Sequence, residues 1–223
     1  AATSRWIAAY EKKGYTALAM DCRTGKGVRN FAPAVRERLL APLLEKRRAN
    51  GTAGAPIRLM IVGIPNVGKS SFINRMAQSK RAKVEDRPGV TRTKQWVKIG
   101  DNMELLDMPG VLWPKFEDQS VAQRLAFTGA INDDIMDLEA LASLLLVRLA
   151  ASYPDALEKR YRMTELSAIQ TDGFAMLELL GRKRGMLISG GEVNTERAAI
   201  TLLDEFRSGK LGRITLEFPE QER

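Results

Sequence analysis

The chain concentrates its chemistry in "VGIPNVGKSS", residues 62–71, where Gly63 is followed by four residues and then by Gly68, Lys69 and Ser70. This is the phosphate-loop pattern, and it stands in the context the pattern requires: the apolar run "IRLMI" before it and a helical segment after it. Glycines let the backbone turn so that successive N–H groups face phosphate oxygens, and the following helix presents its positive end to the same anion. Backbone groups of Pro65, Asn66, Val67, Gly68, Lys69, Ser70 and Ser71 are candidates for holding a polyphosphate. Lys69 would reach the β and γ phosphates, and Ser70 would offer its hydroxyl to magnesium.

A second signal follows in "LLDMPG". An apolar strand ends in Asp107 and is followed by Gly110, so the acid supports magnesium through water while the glycine N–H meets the γ-phosphate. Together the two patterns read as a nucleotide-dependent switch. Between them lies "RPGVTRT", where a threonine binds the metal only while the γ-phosphate holds the loop. Thr91 is the candidate for that role and Thr93 its rival. Lys69, Thr91 and Gly110 are therefore the candidate catalytic residues, and Ser70, Thr91 and Asp107 the candidate magnesium ligands.

These residues need a scaffold. Residues 4–13 place Trp6, Ile7 and Tyr10 on one helical face, and "YTALAMD" (15–21) predicts a short buried strand closed by the loop "CRTGKG". Apolar positions from Val28 to Arg48 keep helical spacing and predict one long amphipathic helix. "ANGTAGAP" is a flexible connector, followed by strand "IRLMIVG", the phosphate loop, a helix over 69–77, and strands "KQWVKI" and "MELLDMP" around Gly100-Asp101-Asn102, a hairpin signal. Strands alternating with helices imply a layered α/β sheet. Beyond Pro114 the pattern is helical, over 119–128, 137–151, 155–162, 173–182 and 195–207, with Asn194 and Gly209 bounding the last helix and "RITLEF" a final extended piece. The expected division is an α/β domain over 1–130 and a smaller all-helical domain over 131–223.

The composition agrees with a folded, soluble chain: 223 residues, 44% hydrophobic and 28% charged. One cysteine, Cys22, excludes an internal disulfide and fits a reducing, cytoplasmic setting. The longest apolar stretch, "LEALASLLLVRLAA", is too short and too charged to cross a bilayer, so no membrane span is expected. A net charge of +8 favours polyanionic partners.

The motifs resemble those of the translation-factor-like GTPases, with one departure. No asparagine-lysine-x-aspartate segment, which those proteins use to read guanine, occurs in the sequence. Residues 15–27, which stand before the phosphate loop, instead look like the strand and loop that close that fold and touch guanine through backbone groups. Asp21 and Cys22 would be the contacts. That order is what a circular permutation gives, with "ANGTAGAP" as the joint. The segments "GIPNVGKSSFINR", "DRPGVTRTKQWVKI" and "LLDMPGVLWPKFE", with "RKRGMLISGGEVN" and "KLGRITLEFP" near the end, are similar to the ribosome biogenesis GTPase A family.

The resemblance implies a phosphate-loop GTPase domain in circularly permuted order, GTP/GDP and Mg2+ as ligands, and action in late assembly of the large ribosomal subunit. It implies hydrolysis stimulated by the particle, with rRNA and ribosomal proteins as partners, and a monomer when free. It places a potassium ligand at Asn66. It also implies strands upstream that carry the base-reading motif and a histidine involved in hydrolysis; the sequence holds no histidine. Where many switch GTPases carry a water-positioning glutamine, this chain has Val111, so slow intrinsic turnover is expected. The C-terminal helices would dock RNA through Arg182, Lys183, Arg184, Lys210 and Arg213. Two rivals are a phosphotransferase using the same loop and a non-hydrolysing, nucleotide-dependent RNA-binding module.

Overall fold

A computed structural model describes residues 2–78, 95–100, 102–112, 115–164, 166, 169 and 171–219. The chain divides into two compact units, Ala1–Leu112 with Glu217–Arg223, and Trp113–Leu216. Residues 115–130, expected in the first domain, group with the second because Ala126 and Phe127 belong to its helical core.

In the first unit, helix α1 (Ala2–Lys12) is followed by a segment over 15–21 without regular secondary structure. This segment is not the expected strand: among the described residues it joins no ladder, and it is fastened locally by the Asp21 N–H donating to Lys26 O at 2.8 Å. The helix expected over 28–48 is interrupted. A 3₁₀ turn (Val28–Asn30), a short helix α2 (Phe31–Pro33) and a π-turn (Ala34–Leu39) precede α3 (Ala41–Ala49). Pro42 supplies the reason. Its ring cannot follow an uninterrupted α-helix, and the preceding turn widens so that Leu40 N–H reaches Val35 O at 3.0 Å.

Strand β1 (Ile57–Ile61) leads into the glycine loop and helix α4 (Lys69–Gln78); β2 (Gln95–Ile99) and β3 (Met103–Asp107) form the hairpin. The sheet has the order β1-β3-β2, with β1 parallel and β2 antiparallel to β3. Central β3 alternates so that Met103, Leu105 and Asp107 are buried. Ile57, Ile73, Met76 and Ile99 pack with them, joined by Val28 and Val35.

The second unit comprises α5 (Gln119–Phe127), α6 (Leu138–Ser152), α7 (Pro154–Tyr161), α8 (Gly173–Lys183) and α9 (Thr195–Arg207). Asp118, Asp137, Asp172 and Asn194 cap the starts of α5, α6, α8 and α9, each side chain accepting a backbone N–H. Helix α6 is apolar on most of its circumference because Leu141, Leu145, Leu146 and Leu149 are all enclosed. Among the described residues no single helix is long and apolar enough to cross a membrane. Among the described residues "RITLEF" pairs with no strand; Tyr153 Oη donates to Thr215 O and accepts from Thr215 N–H, both at 3.0 Å.

Glu205 is the charged exception in this core, 5% exposed. Hydrogen bonds from Arg160, first, hold its carboxyl at about 2, below the ordinary 4.5. A carboxylate depressed in the folded state stabilises fully above the unfolded value and loses that contribution as pH falls toward the folded one. Stability should therefore drop between about pH 4.5 and pH 2, by on the order of 3 kcal/mol. Glu205→Gln should remove most of this acid limb in thermal unfolding, and destabilise the chain at pH 7 by about 2–4 kcal/mol, since Arg160 loses its counter-charge.

Candidate functional site

The glycine loop adopts the backbone its composition requires. Gly68 has φ 95 and Asn66 φ 59, both in the left-handed region, which glycine enters freely and asparagine tolerates better than most residues. The loop closes onto α4 through the Phe72 N–H, which donates to Gly68 O at 2.9 Å. Lys69 is the first residue of α4, and its Nζ donates to Gly63 O at 3.0 Å and Ile64 O at 2.7 Å. The ammonium is thus held across the loop, beside the positive end of a helix, where a polyphosphate would be met by both. Ser70 follows in the first turn of α4, partly buried, while Ser71 and Val67 are exposed.

The parallel register sets Asp107 opposite Ile61, so the acid lies at the end of β3 beside the strand that feeds the loop. It is 3% exposed. Three residues on, Gly110 passes so close to the loop that a Cβ there would stand 2.6 Å from Pro65 Cα and 2.7 Å from Pro65 N. Val111 N–H donates to Gly63 O at 3.4 Å, and its side chain is 70% exposed. The two motifs read from the sequence are therefore side by side. Thr91 and Thr93 lie outside the described residues.

The segment carrying Asp21 and Cys22 is tied to the helix that follows the loop. Arg75 on α4 donates from Nε to Cys22 O at 3.0 Å and from its terminal nitrogen to Arg23 O at 2.7 Å. The Phe31 and Phe72 rings meet edge-to-face with centroids 4.9 Å apart. Asp21 Oδ1 accepts the N–H groups of Arg23 (2.9 Å) and Thr24 (3.2 Å), and hydrogen bonds from Thr24, then Arg23, hold its carboxyl below the usual range. Burial pushes the Cys22 thiol up, with the neighbouring Asp21 adding to it. Arg75 was not singled out by motif reading, because it belongs to no nucleotide pattern and its partners are far away in sequence.

In the helical unit Arg182, Lys183, Lys210 and Arg213 are exposed. Arg184 is exposed as well, but its guanidinium is engaged: it donates to Glu205 Oε1 at 3.3 Å and lies over the Tyr161 ring at 5.9 Å.

The profile of a family described as 50S ribosome-binding GTPase matches residues 58–169. A Bacillus cereus protein named Ribosome biogenesis GTPase A is 43% identical over 219 residues, covering 98% of this chain and 73% of that protein. Its namesake from Bacillus licheniformis is 44% identical over 218 residues, covering 98% and 76%. Among solved structures, GNP-bound YlqF from T. maritima is similar with a TM-score of 0.60 and 25% identity, over 99% of this chain and 77% of that one. The site geometry and these matches agree, and the chain belongs to the ribosome biogenesis GTPase A family, as a protein that binds and hydrolyses GTP.

Proposed function

We propose that this GTPase is a switch acting in late assembly of the large ribosomal subunit, with a GTPase domain in circularly permuted order and hydrolysis stimulated by the ribosomal particle. The observation that carries the permuted reading is Arg75, which fastens the carbonyls of Cys22 and Arg23 to the helix that begins at Lys69. A segment earlier in the chain than the phosphate loop is thereby attached to the helix that follows that loop, which supports reading it as the base-contacting loop of a permuted domain. The relatives' name and the description 50S ribosome-binding GTPase support the particle as partner. The account further takes the free protein to be a monomer and the setting to be cytoplasmic.

Magnesium fits the residues present. Ser70 and Asp107 supply a hydroxyl and a carboxylate, hard oxygen donors, and a nucleotide's phosphates supply more, so no larger acidic cluster is needed. Held by Ser70 and Asp107, magnesium would supply charge neutralisation to the nucleotide's phosphates. The chain's own contribution is positional: Lys69 and the loop amides grip the phosphates, and the Gly110 N–H senses the γ-phosphate, with Thr91 as its companion. Val111 orients no water, so an activating group comes from the particle.

Asn66 is the proposed potassium ligand, exposed in the loop and held at φ 59. A monovalent cation there offsets charge developing in the transition state. Turnover in potassium should exceed that in sodium by about 10-fold; equal rates would remove the cation from the account.

The helical unit is proposed to dock rRNA through Arg182, Lys183, Lys210 and Arg213, with Arg184 presenting rather than touching the ligand. Sedimentation with large-subunit precursor particles tests the function: a GTP analogue should retain the chain on the particle and GDP should release it. Equal retention would refute the switch.

A further inference from the structure

The C-terminal ends of α7, α8 and α9 meet around one buried carboxylate. Glu205, near the end of α9, accepts Arg160 Nε from α7 at 2.8 Å and Arg184, just past α8, at 3.3 Å. Its backbone carbonyl accepts the Lys210 N–H at 2.9 Å. Arg160 and Arg184 are therefore occupied internally. So is Arg207, which pairs with Asp133 and donates to Ala126 O at 2.9 Å and Phe127 O at 3.1 Å. The neighbouring cations are not. Lys159 and Arg162 at the end of α7, Arg182 and Lys183 in the last turn of α8, and Lys210 and Arg213 beyond α9 are exposed and pair with no described carboxylate.

Complementing the helix dipoles does not account for this number of charges, because Arg160, Arg184 and Arg207 already stand at the same ends. The basic segments are also slim. Gly185, Gly209 and Gly212 have φ 66, 75 and 99, with nothing within 4 Å of where a Cβ would stand. Of the aromatic rings at these ends, Tyr161 is 2% exposed and Phe206 packs against the helical core, so neither presents a free stacking face. The ridge has the means to meet phosphates and none to read unstacked bases.

We propose that these cations form one phosphate-binding ridge for double-stranded RNA, in which Lys159 and Arg162 of α7 are members alongside α8 and the segment after α9. The inference rests on the RNA-docking reading above and adds to it the helix that reading left out. The ligand chemistry is a duplex backbone, recognised by charge and shape and with little dependence on sequence.

Anisotropy of a labelled mixed-sequence RNA duplex of about 20 base pairs, titrated with the full chain over a salt series, tests this. Lys159→Gln/Arg162→Asn is compared with Arg182→Gln/Lys183→Gln and with a charge-matched control on α3, Lys46→Gln/Arg48→Gln. Asparagine is chosen because Arg162 has φ 59, a backbone it tolerates. Each ridge pair should weaken binding by about 10-fold and flatten the slope of log K against log salt by about 2, with the control unchanged. Lys159→Gln alone leaves the α7 cap intact and should show about half of that loss on a logarithmic scale, roughly 3-fold. Duplex binding lost with the α8 pair but kept with the α7 variants would overturn this inference and leave RNA docking standing. A parent chain that does not bind the duplex would overturn both. Tighter binding to phosphatidylglycerol vesicles than to the duplex would reassign the ridge to a lipid surface and overturn the proposal.

Discussion

Replacing Lys69 with alanine is expected to lower GTP turnover by about 100-fold or more, with a fold that remains intact. Lys69 Nζ makes its hydrogen bonds to Gly63 O and Ile64 O, so removing it deletes two side-chain contacts to a solvent-facing loop and disturbs no core packing. What is lost is a fixed positive charge beside the helix start, where the β and γ phosphates bear the charge that develops as the bond breaks. Lys69→Arg should not rescue, because a planar fork on a longer stem cannot replace a compact ammonium in a loop this tight. Single-turnover phosphate release with a matched circular dichroism melt checks both halves; turnover within about 3-fold of the parent would contradict the role.

The second large effect is expected at Gly110. An added methyl would stand 2.6 Å from Pro65 Cα, 2.7 Å from Pro65 N and 2.9 Å from Pro65 Cγ, and the first two are backbone atoms that cannot swing aside. Either the loop or the 108–111 segment must move. The Gly110 N–H then no longer meets the γ-phosphate, while contacts to the α and β phosphates, made by the loop and Lys69, are less affected. Gly110→Ala should lose about 100-fold in turnover and most of the preference for a GTP analogue over GDP, with GDP affinity falling by less than about 10-fold. Stopped-flow binding of fluorescent GDP and a fluorescent GTP analogue measures both. An unchanged preference between the two nucleotides would show that the close approach to Pro65 is packing and not a sensor.

The parts of this site legible in the sequence are those set by local rules. Gly63, Gly68 and Lys69 between an apolar strand and a helix announce a phosphate loop because only a few residue types permit that backbone and that charge. The hairpin at Asn102 and the cap Asn194 are legible for the same reason. Residues 15–21 mislead, since a short apolar run satisfies strand periodicity whether or not a neighbouring strand pairs with it. The break before α3 had a readable signal in Pro42, which a search for helical spacing alone overrides. Arg75 and Glu205 had none. Their partners, Cys22 O and the guanidiniums of Arg160 and Arg184, are set by tertiary packing, and a single arginine or glutamate on a helix looks the same whether it faces solvent or holds two segments together.

Hydrolysis is where the account joins chemistry to biology. On this proposal Lys69, the loop amides and Gly110 hold the phosphates, but the residue after Gly110 is an exposed valine that cannot orient water. Single-turnover GTP hydrolysis, measured with and without large-subunit precursor particles, is the most direct test. The account predicts slow phosphate release by the free chain and an acceleration of at least about 10-fold with particles, abolished by Lys69→Ala. Equal rates with and without particles would contradict it.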